Sequence, residues 1–73
     1  MTELIHKTSA YEKYDGTRHI FETYRQKITG AAPYVIILDG AFLATAESGA
    51  DVSSEIKSTI NWFNWTSTNP AFV

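Results

Sequence analysis

His6 and His19 are the two histidines of this 73-residue chain, and they are the first residues to consider for catalysis or metal binding. A zinc site needs three or four ligands at defined spacing. The chain has no cysteine, and its histidines do not occur as a pair at helical spacing. The sequence therefore predicts no metal site and no cofactor.

Nucleophilic catalysis needs a Ser, Thr or Lys side chain held beside a base and an orienting group. The serines cluster in predicted caps and loops, and no G-x-S-x-G turn is present. His19 and Glu22 can meet in a strand or in a helix, but no nucleophile is placed next to them. Glu12 and Glu22 could pair across a hairpin, although solvated strand charges explain them equally well. We therefore expect no enzymatic activity.

Basic and aromatic residues alternate in one segment that contains Arg18, Arg25, Lys27 and Phe21. On a strand, such a mixture can stack bases and neutralise phosphates. However, eight acidic residues against six basic ones give a net charge of −2, whereas nucleic-acid-binding domains are usually basic. Nucleic-acid binding through these four residues is therefore the alternative functional hypothesis.

The strongest structural signal is Asp39-Gly40, which separates the apolar runs 34–38 and 41–46. Asp-Gly tolerates the positive φ angles of a two-residue type I′ turn, so it predicts a β-hairpin. Such a turn also fixes the pairing. The predicted partners are Leu38 with Ala41, Ile37 with Phe42, Ile36 with Leu43 and Val35 with Ala44.

Both faces of this hairpin are apolar, whereas a hairpin in a small soluble domain usually has one polar face. One predicted face carries Val35, Ile37 and Phe42. The other carries Ile36, Leu38 and Leu43. Since one helix covers one face, we expect the face with Ile36, Leu38 and Leu43 to be an association surface for a partner or a second copy.

Residues 17–29 have both helical apolar spacing and β-favouring residue types. Asp15-Gly16 precedes them and favours a hairpin with a two-residue turn, which would pair Tyr11 with Ile20. We therefore predict a strand, in a first hairpin over about residues 3–28. The alternative is a helix at 17–29 in an α-β-β-α arrangement, which would cover the second face itself.

The C-terminal segment predicts a helix at about residues 51–64, with Asp51 as its N-cap. The apolar stripe has helical spacing. Its members are Val52, Ile56, Thr59, Ile60 and Phe63. The predicted fold is thus α+β, a small antiparallel sheet of two hairpins with one helix on one face, in a single domain over 1–73 with 66–73 as a candidate tail.

Two tryptophans lie off this stripe. Trp62 is on its flank and Trp65 is nearly opposite it if the helix continues. Aromatic residues are the commonest anchors of protein interfaces. We therefore predict that Trp62, Trp65 and Tyr34 bind a partner, unless the helix frays near Asn64 and the tail, with Phe72, folds Trp65 back onto the domain.

These observations favour a small non-enzymatic protein that binds, and inhibits or modulates, a larger protein or complex. Compact chains without cysteine or cofactor are typical of anti-defence or host-takeover proteins of phages and mobile elements, an analogy of size and style. The absence of cysteine is compatible with the cytoplasm. No apolar stretch approaches the roughly 20 residues that span a bilayer, so we expect no membrane association. The apolar hairpin face and the tryptophans lead us to expect a protein partner or a homodimer.

Overall fold

Two antiparallel hairpins form a four-stranded meander, and one helix leads the chain back to its far edge. The computed structural model describes residues 2–68. Its elements are β1 (Thr2–Glu12), β2 (Arg18–Gln26), β3 (Tyr34–Leu38), β4 (Ala41–Ala46), α1 (Gly49–Phe63) and β5 (Trp65–Thr66). The strand order in the sheet is β4-β3-β2-β1-β5, and all four pairings are antiparallel. The predicted α+β fold is confirmed.

Residues 18–26 form a central strand, so the strand prediction is confirmed and the alternative helix at 17–29 is wrong. Phe21 and Thr23 are 0% and 1% exposed, while the intervening Glu22 is partly exposed. Burial at every second residue is the signature of a strand with one covered face. The strand is favoured because β1 and β3 satisfy its backbone on both sides.

The first hairpin has a longer loop than the sequence predicts. Tyr11 lies opposite Arg18, not Ile20, and residues 13–17 form the loop. The Asp15 carboxylate accepts hydrogen bonds from the amide and the hydroxyl of Thr17, at 3.0 and 2.7 Å. These bonds stabilise a turn that begins before Asp15, so the register differs from that of a two-residue turn.

The second hairpin turns at Asp39-Gly40 as predicted, with φ angles of 51° and 84°. The pairs Leu38–Ala41 and Ile37–Phe42 are confirmed. A β-bulge at Leu43 then shifts the register by one residue. The remaining pairs are therefore Ile36–Ala44 and Val35–Thr45, and the two predicted pairs at these positions are wrong.

Helix α1 begins two residues earlier than predicted, because Ser48 and not Asp51 is the N-cap. The Ser48 hydroxyl accepts a hydrogen bond from the Asp51 amide at 3.2 Å, which leaves the Asp51 carboxylate in the first turn near the helix dipole. The helix ends at Phe63, since Asn64 adopts the left-handed conformation with φ of 58°.

The core lies between α1 and one face of the sheet, here called the inner face. Its buried apolar side chains are Ala10, Phe21, Ile36, Ala46, Val52 and Ile56. Partly buried side chains surround them, among them Tyr34, Leu38, Leu43, Ile60 and Trp65. Residues 69–73 of the predicted tail, which include Phe72, lie outside the described residues, whereas Thr66 belongs to β5.

Glycine substitutions test the turn geometry. An added Cβ meets no atom within 4 Å at Gly40 or Gly49, but only Gly40 of these two has a positive φ, of 84°. We expect Gly40→Ala to lower the free energy of unfolding by about 1 kcal/mol, because L-residues are strained in this conformation. Urea denaturation followed by circular dichroism measures the change.

Gly49→Ala is the matched control. It adds the same methyl group in the first turn of α1, where alanine favours the helix, so stability should rise by up to about 0.5 kcal/mol. Equal effects of the two substitutions would contradict the assigned turn.

Candidate functional site

His19 bridges two carboxylates from different parts of the chain. Its Nδ1 lies 2.7 Å from Oδ2 of Asp39, and its Nε2 lies 2.9 Å from Oε2 of Glu12. The histidine side chain is 15% exposed, whereas both carboxylates are more than 40% exposed. The bridge therefore connects the end of β1, the start of β2 and the β3–β4 turn.

The turn residue Asp39 is placed by backbone as well as by side-chain contacts. Its amide donates to the carbonyl of Ile20 at 2.9 Å, and its Oδ1 accepts from the Ile20 amide at 2.8 Å. These bonds extend the β2–β3 pairing into the turn. As a result, the second carboxylate oxygen points to His19, one residue away on β2.

Trp65 packs against this bridge. Its ring lies parallel to that of His19, with 3.9 Å between centroids, and parallel to that of Phe63, with 4.6 Å between centroids. It also meets Phe21 edge to face at 6.3 Å. The left-handed Asn64 makes this possible, because it ends α1 and returns Trp65 to pair with Glu12 of β1.

The charges of the bridge reinforce one another. Burial of the ring lowers the pKa of His19, but the hydrogen bonds and charges of Asp39 and Glu12 outweigh it and raise the pKa above the ordinary 6.5. Partial burial raises the pKa of Asp39, yet the bonds from His19 and the Ile20 amide lower it below 3.8. The arrangement thus favours an imidazolium between two carboxylates.

This geometry is suited to holding elements together. An imidazolium that donates from both nitrogens has no lone pair with which to accept a proton. Within residues 2–68, no group of three or more His, Cys, Asp or Glu side chains is arranged to hold a metal ion. Glu22 does not meet His19, because it lies on the opposite face of the sheet. There its Oε2 is 3.9 Å from Nζ of Lys7. For the same reason Glu22 does not pair with Glu12.

A groove of about 430 Å³ runs between β1 and α1. Its lining residues are His6, Thr8, Ser9, Ser53, Ile56, Lys57, Ile60, Asn61 and Ser67. A second cleft of about 220 Å³ adjoins it and shares His6, Ser53 and Ile56. Thr23 lies in this second cleft, and its buried hydroxyl has no hydrogen-bond partner among the described residues. An unbonded buried hydroxyl costs about 1–3 kcal/mol.

The face of the sheet opposite α1, here called the outer face, carries apolar side chains of β2, β3 and β4 together with Glu22 and Thr45. Ile37 pairs with Phe42 across the second hairpin, and Val35 pairs with Tyr24 of β2. Phe42 is 66% exposed. No element formed by residues 2–68 covers this face, since α1 packs on the inner one.

The structure reverses the faces predicted for the second hairpin. Ile36 is 0% exposed in the core, and Leu38 and Leu43 pack against that core beneath α1. The expectation that these three residues form the open face is therefore wrong. The stripe of α1 meets the face with Ile36, and the open face carries Val35, Ile37 and Phe42.

The predicted aromatic anchors lie in three different environments. Tyr34 packs at the edge of the core, and Trp65 is held in the stack with His19 and Phe63. Trp62 is 82% exposed on α1. Of the three, Trp62 is the one available to a partner without rearrangement.

The residues of the nucleic-acid hypothesis do not form one surface. Phe21 is 0% exposed, so its ring cannot stack on a base. Arg25 is paired with Glu3 at 2.9 Å, and Arg18 donates to the Ser9 hydroxyl at 3.0 Å. Lys27 is exposed just after β2.

Sequence reasoning missed Glu12 and Asp39 as partners of His19. The turn accounts for Asp39 and solvation accounts for Glu12, and both explanations use only the neighbouring residues of the chain. The missing information is the pairing of β2 with β3, which sets the turn beside His19.

None of the helices that the described residues form is long and apolar enough to cross a membrane. Comparison with protein-family models, with curated proteins and with solved structures found no match for this chain.

The bridge predicts a pH-dependent stability. Folding raises the pKa of His19. Its contribution to the free energy of unfolding is therefore fully present below the unfolded pKa of about 6.5, and it is lost as the pH rises through the folded pKa. Since the pKa of Asp39 is lowered, its contribution is lost as the pH falls below 3.8. We expect urea denaturation to show falling stability above pH 6.5.

His19→Gln should lower stability by about 1–2 kcal/mol near pH 6 and flatten the decline above pH 6.5. The matched control is His6→Gln, which removes the second histidine and leaves the bridge intact. A decline that persists in His19→Gln would show that another group causes it.

Proposed function

We propose that this chain is a small non-enzymatic protein-binding domain that docks on a larger protein through the outer face of its sheet. The observation that supports this proposal most directly is the exposed ring of Phe42, which pairs with the half-buried Ile37 and has the half-buried Val35 nearby on β3. A contiguous apolar patch on a small domain is typical of a protein interface.

The composition of the outer face also suits an interface. Aromatic residues at its centre supply contact area at low entropic cost, and polar groups at the rim provide orientation. Phe42 and Tyr24 supply the aromatic area. The Lys7–Glu22 pair supplies the polar rim, with 3.9 Å between Nζ and Oε2.

Binding through this face leads to inhibition or modulation by occlusion, because a domain of 8.2 kDa can block a surface without reacting with it. The inhibitory role and an origin in a phage or mobile element remain predictions from the sequence. The sequence also predicts Trp62 as an anchor; it lies exposed on α1, so it marks the alternative interface and not the outer face.

Affinity capture from a lysate of the source cells, after nuclease treatment, tests the proposal with two variants. Phe42→Ser removes the most exposed large apolar side chain of the outer face, and Trp62→Ser is its matched control on α1. We expect the wild type and Trp62→Ser to retain one stoichiometric protein. Phe42→Ser should weaken its binding about 30-fold, the equivalent of ~2 kcal/mol for an interface anchor.

Three results would contradict the proposal. Capture of nucleic acid alone, lost after nuclease treatment, favours the alternative hypothesis. Loss of the partner in Trp62→Ser and not in Phe42→Ser moves the interface to α1. A dimer detected by light scattering that Phe42→Ser dissociates makes a second copy the occupant of the outer face.

A further inference from the structure

Among residues 2–68, the edge of β1 beyond β5 is open. Strand β5 pairs with β1 at Tyr11 and Glu12, and the chain then bends at Ser67 and Thr68. No strand within residues 2–68 continues this pairing toward the start of β1.

Backbone groups of β1 point out of this edge. The Glu12 amide donates to the Thr17 carbonyl, on the β2 side of the strand. Because the direction of the backbone groups alternates along an antiparallel strand, those of Lys7 and Ser9 point to the open edge. Unpaired N–H and C=O groups of this kind are a template for another strand.

The groove between β1 and α1 lies along the same strand. Thr8 and Ser9 form its β1 wall, and Ile56 and Ile60 of α1 provide apolar contacts. The adjoining cleft contains the buried Thr23 hydroxyl that lacks a partner among the described residues. An edge strand beside a groove is the geometry in which proteins bind extended peptides, with backbone bonds for affinity and the groove for side-chain selection.

The charged residues that line the groove indicate which kind of peptide fits it. Lys57 and His6 line it, and its described lining includes no carboxylate. Lys57 forms no ion pair with another residue in the 2–68 range. An acidic side chain on the bound peptide complements this lining.

We propose that the open edge of β1 binds an extended acidic peptide segment as an additional strand, with its side chains in the groove against Ile56 and Ile60. This inference rests on the proposed protein-binding function and names a partner class, but it uses a different surface from the outer face.

Selection of random twelve-residue peptides displayed on phage, with the full chain as bait, tests this site. Each recovered peptide is then synthesised and titrated by fluorescence anisotropy. We expect enrichment of peptides that contain Asp or Glu. Lys7→Pro should weaken their binding at least tenfold, because proline removes the outward N–H, whereas Lys7→Ala keeps that N–H and should change the affinity less than threefold.

A second pair of variants tests the groove without altering a strand. Lys57→Glu should also weaken binding at least tenfold, while Lys27→Glu makes the same charge change at an exposed position after β2 and should not. Circular dichroism confirms that each variant is folded.

The site is wrong if no peptide is enriched, or if the enriched peptides bind Lys7→Pro and Lys57→Glu as tightly as the wild type. Peptides that lose affinity in Phe42→Ser but not in these variants bind the outer face. That result would overturn the peptide site and leave the proposed function standing.

Discussion

A single helix can cover one face of this sheet and no more. Helix α1 has 15 residues and is about 22 Å long, whereas the longest dimension of the molecule is 46 Å. Buried side chains fill the layer between this helix and the sheet, among them Phe21, Ile36, Val52 and Ile56. Two features of the surface follow from that limit: an outer face that no element of residues 2–68 covers, and exposed Leu4 and Ile5 side chains in the first half of β1.

The His19 bridge offsets the small size of the core. Apolar burial is limited in a chain of this length, and no disulfide is present. Two charge-assisted hydrogen bonds and a stack of three aromatic rings instead join β1, β2, the β3–β4 turn and β5 at one end of the sheet. A histidine between two carboxylates is an arrangement that can also transfer protons. In this structure it fixes the relative positions of four elements.

Local signals in the sequence predict most of the fold. Asp39-Gly40 predicts a turn, β-favouring residue types after Asp15-Gly16 predict β2, and the stripe from Val52 to Phe63 predicts α1. Features that depend on pairing between distant segments are not predictable in this way. The bulge at Leu43 changes which pairs form beyond Ile37, and the five-residue loop after Glu12 shifts the first hairpin. The open face is the least predictable feature, because the side on which α1 packs decides which of two apolar faces is open.

The position of β5 has a consequence for folding order. Each of the two hairpins closes over a short stretch of chain, but β5 must meet β1 across nearly the whole sequence, as the Lys13–Asn64 hydrogen bond shows with its separation of 51 residues. Closing so long a loop has a larger entropic cost than closing a hairpin. During synthesis the meander can therefore assemble first, and the Trp65 stack can form only after α1 has left the ribosome. The bridge between His19 and its carboxylates can thus form before the aromatic ring that shields it arrives.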